Sequence, residues 1–165
     1  MNGSKNRADG WRWLLLSAFV VLADQVSKAY IARHYGEFEF TRVLPILDIT
    51  RMQNNGAAFS FLASASGWQR WFFIALAGGV SVGITVWLCR LHSRANMLLA
   101  AGLALVLGGA LGNLIDRVRL GSVIDFIHFH WNQAYFPAFN VADSSITVGA
   151  GLLLLDALLD GRRKH

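Results

Sequence analysis

Residues 97–117 read MLLAAGLALVLGGALGNLIDR, and residues 97–112 among them carry no polar side chain. A helix needs about 20 mostly apolar residues to cross the hydrocarbon core of a bilayer, so this stretch is read as a membrane span over about 97–115. Its end differs in kind from its middle, because Asn113, Asp116 and Arg117 close it. Gly108 and Gly112 stand four apart, the spacing that lets a second helix backbone approach closely.

Three other stretches repeat the pattern, at about 13–32, 71–91 and 141–159. Gly79 and Gly83 in the second of these repeat the small-residue spacing. The composition agrees with four spans. Hydrophobic residues make up 55% of the 165-residue chain and charged residues 15%, against about 25% in soluble domains. Six Trp and eleven Phe suit a chain anchored at membrane interfaces. The expected fold class is a membrane all-α four-helix bundle forming a single domain over residues 1–165.

The first span begins like a secretory signal peptide. Lys5, Arg7 and Arg12 precede an apolar run ending at Ala23. The polar string Asp24, Gln25, Ser27 and Lys28 follows at once, and the span is read as retained. Cys89 is the only cysteine, so no internal disulfide can form, and it is read as a small buried hydrophobe. The net charge of +5 has no basic, aromatic-lined face behind it, and nucleic-acid binding is excluded.

Lys and Arg fix the expected orientation. Lys5, Arg7, Arg12, Arg90, Arg94, Arg162, Arg163 and Lys164 crowd three short segments on one side. Lys28, Arg33, Arg42, Arg51, Arg70, Arg117 and Arg119 are spread over longer segments on the other. The denser side is read as cytoplasmic, with both termini there. The outer segments are then about 36–69 and 118–139. Alternation in Glu37-Phe38-Glu39-Phe40, β-branched residues over 43–50 and the turn signal Asn54-Asn55-Gly56 predict a small sheet or hairpin. Residues 123–130 predict another strand.

Ionisable residues in a span cost roughly 2.5–3.5 kcal/mol each on insertion scales, which makes each a functional hypothesis. Here they gather at one level. Asp24 and Lys28 close the first span, and Asn113, Asp116 and Arg117 close the third. Asn140 and Asp143 open the fourth, and Asp125 lies just ahead of it. Asp24 and Lys28 are four apart and can pair on one helix face. Asp116 and Arg117 can orient a site or meet a lipid phosphate. Asp156 lies deeper in the fourth span and has no assigned role.

Asp125 and Asp143 form the candidate catalytic pair. Two carboxylates in a partly dry site cannot both ionise readily, so one keeps a proton. The ionised one can activate water while the other polarises a carbonyl, which is amide hydrolysis without a nucleophilic side chain or a metal. Two rivals remain at this point. A small four-helix transporter would want a charge near the midplane. A metalloprotease could use His128, His130, Asp125 and Asp143, although no HExxH or CxxC is present.

The motifs Asp24-Gln25-Val26-Ser27-Lys28, Asn54-Asn55-Gly56-Ala57-Ala58-Phe59, the run from Gly108 to Arg117, Val123-Ile124-Asp125-Phe126 and the run from Phe136 to Ser144 together resemble the bacterial lipoprotein signal peptidases, or signal peptidase II. The resemblance spans nearly the whole chain. It implies an inner-membrane aspartic protease with four transmembrane helices and a small periplasmic β-sheet. The implied catalytic residues are Asp125 and Asp143, and the implied site-supporting residues are Asp24, Lys28, Asn54, Gly56, Asn113, Arg117 and Asn140. The implied substrate is a prolipoprotein bearing a diacylglyceryl cysteine, cut just before that cysteine. No cofactor or metal is expected, the expected partners are substrate and membrane lipids, and a monomer is expected. Residues 36–62 are expected to grip the substrate from above, with 59–62 the stretch whose deletion tests this.

Overall fold

The computed structural model describes residues 9–56, 67–92, 97–132 and 134–163. Residues 59–62 lie outside the described residues. A 3-10 turn, Gly10–Trp13, leads into α1, Leu14–His34. Strands β1, Phe40–Leu44, and β2, Leu47–Asn54, follow. Then come α2, Trp68–Arg90, and α3, Met97–Arg119. Strands β3, Val123–Trp131, and β4, Ala134–Tyr135, precede α4, Val141–Arg163. All four helices are long and apolar enough to cross a membrane, in agreement with the four runs read from the sequence.

Helix α3 is the axis, packed against α1, α2 and α4. Its most apolar window is 56% buried, whereas that of α2 is 11% buried. Glycine explains the difference. A Cβ at Gly108 would stand 2.9 Å from the backbone oxygen of Ser17 on α1. One at Gly109 would run into the carbonyl of Ala142 on α4. Lipid tails are as apolar as leucine, so such close backbone contact, rather than hydrophobic driving force, associates helices in a membrane. Gly79 and Gly83 do not follow suit. Both are exposed and a Cβ at either would meet nothing within 4 Å, so the equivalent spacing on α2 joins no helix among the described residues.

Leu88, Ala100, Leu103, Ala104 and Leu107 form the helical core. Ser17 Oγ donates to the carbonyl of Ala104 at 2.8 Å and fastens α1 to α3. A second cluster joins the end of α1 to the sheet through Ile31, Ile124 and Phe126, with Ile49, Ile127 and Val141 against them. Full burial of one such side chain is worth roughly 1.5–3 kcal/mol.

The sheet is antiparallel in the order β1-β2-β3-β4. The expected strand at Glu37-Phe38-Glu39 is a turn instead. Phe38 is left-handed at φ 64°, and Glu39 Oε2 accepts the N–H of Gly36 at 2.7 Å. The backbone of Thr41 and Arg42 pairs with Ile49 and Asp48, so the run over 43–50 is folded into a hairpin at Pro45.

Strand β3 carries an irregularity. The N–H groups of Phe126 and Ile127 both donate to the carbonyl of Phe139, at 3.0 and 2.8 Å. Two residues opposing one is the signature of a β-bulge, and it reverses which face later side chains take. Ile124, Phe126 and Ile127 therefore all pack toward α1, while Asp125 and His128 both line the opposite, open side.

Two arginines finish the helices beneath the sheet. The last four carbonyls of a helix have no partner within it. Arg51 Nη1 donates to the carbonyls of Ala32 and Tyr35 at 3.2 and 3.1 Å, at the end of α1. Arg70 donates to those of Arg117 and Val118 at 2.9 and 3.0 Å, at the end of α3.

Candidate active site

The ends of α1 and α3 and the start of α4 meet at one level, and Asp24, Lys28, Asn113, Asp116, Arg117, Asn140 and Asp143 lie there. Lys28 sits at the bottom, almost fully buried. Its Nζ is 2.8 Å from Asp24 Oδ2, 2.8 Å from Asp116 Oδ2 and 3.0 Å from Asn113 Oδ1. An ammonium has three protons, and all three are used. Asp24 also accepts the N–H of Ala142 at 2.9 Å, which ties α1 to the first turn of α4. Gln25, a residue the sequence reading left without a role, donates to Asp116 Oδ1 at 2.9 Å and to Asp24 Oδ2 at 3.2 Å.

Above this layer Asn140 organises the second one. It stands immediately ahead of α4, and its Oδ1 accepts the N–H of Asp143 at 2.9 Å. Asp143 Oδ2 returns the favour to the N–H of Asn140 at 3.3 Å. This reciprocal pair is a capping box built from Asn and Asp, which fixes the Asp143 carboxylate at a helix start, where the helix dipole favours its charge. The Asn140 side-chain N–H groups reach Asp125 Oδ1 at 2.7 Å and Asn113 Oδ1 at 3.3 Å. Asn113 in turn donates to Asp143 Oδ1 at 2.8 Å.

Asp125 comes from β3 and points away from its apolar neighbours Ile124 and Phe126. Its other oxygen accepts from Asn54 Nδ2 at 3.0 Å. Asn54 is held by its own turn, since its Oδ1 accepts the N–H of Gly56 at 2.9 Å. The carbonyl of Gly56 accepts from Arg117 at 2.9 Å, and the Arg117 guanidinium lies 5.0 Å over the ring of Phe73. Burial, and next the nearby Asp143 carboxylate, push the Asp125 carboxyl up to about 7. The hydrogen bonds from Asn54 and Asn140 pull the other way without cancelling this.

Asp125 and Asp143 share a cavity of about 1060 Å³ whose other walls are Asn54, Asn113, Arg117 and Phe139, with Ile146 and Val148 further along α4. Among the described residues neither carboxylate has a cation within ion-pair distance, whereas Asp24 and Asp116 both do. The arrangement can hold one proton between two carboxyls beside space for a peptide and a water.

The other candidates separate. Ser27 Oγ donates to the carbonyl of Asp24 at 2.8 Å, within its own helix turn. His130 Nε2 lies 3.3 Å from Asp48, and His128 stacks on Tyr135. Among the described residues no group of three or more His, Cys, Asp or Glu is placed to hold a metal, so the four-residue metal set considered from the sequence is not assembled.

A family model described as signal peptidase (SPase) II matches residues 16–159. The lipoprotein signal peptidase of Shewanella pealeana is 49% identical over 93% of this chain and 89% of its own length. That of Shewanella woodyi is 48% identical over 90% and 84%. A bacterial membrane enzyme structure determined by the in meso method at 2.3 Å resolution superposes with a TM-score of 0.82, at 35% identity over 93% of this chain and 92% of that one. A four-helix membrane body, a small antiparallel sheet over its polar end and a match across nearly the whole length lead to one conclusion: the chain belongs to the signal peptidase II family and is a peptidase.

Proposed function

We propose that the chain removes signal peptides from diacylglyceryl-modified prolipoproteins, cutting before the lipidated cysteine with water activated by Asp125 and Asp143. The observation that carries this is that these two buried carboxylates face one cavity, held by the same asparagine and, among the described residues, with no cation in ion-pair contact with either. Family membership supports the substrate class.

The chemistry follows from the environments. Asp125, whose carboxyl is raised to about 7, holds the shared proton. Asp143, at the helix start, carries the charge. The Asp143 carboxylate takes a proton from water as the water oxygen bonds to the scissile carbonyl carbon. The Asp125 proton passes to the carbonyl oxygen, giving a neutral gem-diol. The C–N bond then breaks as the amide nitrogen takes the proton now on Asp143, and Asp125 recovers its own from a gem-diol hydroxyl. One water is consumed, and both carboxyls end as they began.

The substrate arrives from the bilayer, so the apolar wall of Ile146 and Val148 suits the signal helix and acyl chains. The charge arrangement supports an inner-membrane protein with both termini in the cytoplasm. Of the seven basic residues assigned to the outer side, Lys28, Arg42, Arg51, Arg70 and Arg117 are engaged within the protein. Arg33 and Arg119 are the exposed remainder. The outer side thus offers less free positive charge than its count suggests, in line with the positive-inside rule. The chain acts in this reading as one domain, as a monomer and without a cofactor.

The test is cleavage of a diacylglyceryl-modified prolipoprotein by purified protein in detergent with a strong chelator present. Wild type is expected to cut, and Asp125→Asn and Asp143→Asn to lose at least about 10³-fold in rate while remaining folded. Cleavage by the variants at near wild-type rate would remove the dyad.

A further inference from the structure

The bulge at Phe126 and Ile127 turns one more functional side chain into the cavity. Without it His128, three residues after Asp125, would point with Ile124 and Phe126 into the apolar contact with α1. With it, His128 lines the same cavity as Asp125. Its ring is half-buried and stacks on Tyr135, with centroids 5.4 Å apart and planes at 21°. Among the described residues its nitrogens have no hydrogen-bonding or ion-pair partner. His130, on the same side of the strand, is buried with Nε2 3.3 Å from Asp48, and Asp48 accepts from Arg42 at 3.1 Å. Two histidines on one face thus have opposite circumstances. One is buried beside a carboxylate, and the other lines the cavity with no partner for its ring nitrogens among the described residues.

We propose that His128, backed by Tyr135, is a specificity-determining contact for the mature side of the substrate, accepting a hydrogen-bonding side chain at the second or third residue after the cut. This rests on the proposed function above. Its direction follows from the walls of the cavity. Ile146 and Val148 lie deeper along α4 than Asp143 and form the end an apolar signal helix can use. The mature segment is left with the other end, where β2 and β3 supply Gln53 and His128. Its position follows from the strand repeat. His128 is three residues past Asp125, roughly 10 Å at about 3.3 Å per residue, the span of two to three residues of an extended peptide. The imidazole can donate from one nitrogen and accept at the other, so it suits a side-chain amide, hydroxyl or carboxylate and gives an aliphatic one nothing.

The experiment compares two diacylglyceryl-modified prolipoproteins that differ only in carrying Asn or Leu at both the second and third positions after the cut. Wild type is expected to show a kcat/KM for the Asn substrate about 5-fold above that for the Leu substrate, the size of one net hydrogen bond. His128→Ala is expected to bring the ratio to about one, with the larger loss falling on the Asn substrate. A structural role for His128 would lower both rates and leave the ratio alone. If wild type cuts both substrates and the ratio is the same in His128→Ala, the subsite is wrong and the dyad stands. If wild type cuts neither, the proposed function fails and the subsite goes with it.

Discussion

The lower and upper polar layers use the same residue type for opposite ends. Asp24 and Asp116 are buried against Lys28, and every proton of that ammonium is spent on them and on Asn113. Asp125 and Asp143 lie one layer higher, and among the described residues only neutral asparagine side chains and a backbone N–H are bonded to their carboxylates. A cation beside a carboxylate favours its charged form, and a neutral amide does so much less. The lower layer is a closed set of ion pairs and hydrogen bonds and serves as frame. The upper layer keeps a proton in play. What separates the frame aspartates from the candidate catalytic ones here is direct contact with a lysine, and depth in the membrane is secondary.

Removing the cation is the harshest way to break that contrast. Lys28→Met leaves two buried carboxylates unpaired, and a loss of roughly 3–5 kcal/mol is expected, read as thermal unfolding in detergent. Asp143→Asn should stay within about 1 kcal/mol of wild type in the same measurement. A Lys28→Met protein that melts normally and only loses activity would move the lower layer from frame to chemistry.

A gentler blow falls on the seam between α1 and α3. A Cβ at Gly112 would stand 2.6 Å from Asp24 Oδ2 and 3.3 Å from the Ala142 side chain. Gly112→Ala should cost roughly 1–3 kcal/mol of stability through this crowding. Gly79→Ala, with open space around it, should cost nothing measurable. Equal melting of the two would show that the α1–α3 contact is looser than described.

The pH profile sharpens the contrast without a mutation. Asp125 holds its proton below about pH 7 and loses it above. Both carboxylates are then ionised and the acid is gone, so kcat/KM should fall about tenfold per unit as pH rises beyond that limb. The protein should remain folded across the same window. An alkaline limb near pH 10 in its place would mean that Asp125 is not the acid. The smallest effect concerns the ends of the helices. Arg51→Met uncaps α1 and should lower stability by about 0.3–1 kcal/mol, with the substrate preference untouched.

Much of this was legible in the chain. The four runs predicted the helices to within a few residues, because a span must be long and apolar whatever it packs against. The site was legible because charged residues in a span are expensive and these were all at one level. The sequence could not show how the group divides. The spacing of Asp24 and Lys28 showed that they could pair, but only the fold reveals that Asp116 meets the same lysine while Asp125 meets asparagines. Gly79 and Gly83 share the spacing of Gly108 and Gly112, yet only the second pair is packed. A small-residue face facing lipid costs no more than one facing a helix, so spacing alone does not choose. The bulge at Phe126 and Ile127 was hidden as well, because residues 123–130 read as a plain strand. Gln25 was in view beside Asp24, but a neutral amide gives no signal of cost.

Asn140 carries one more consequence, for the order in which the protein comes into being. It starts the last helix, bonds Asp125 and Asn113, and precedes the Ala142 N–H that closes on Asp24. A chain still emerging from synthesis has its first three helices but lacks all of these contacts, and lacks Asp143 too. The two carboxylates can meet only after the final span is in place. On the proposed dyad, a protease assembled this way has no half-finished active form.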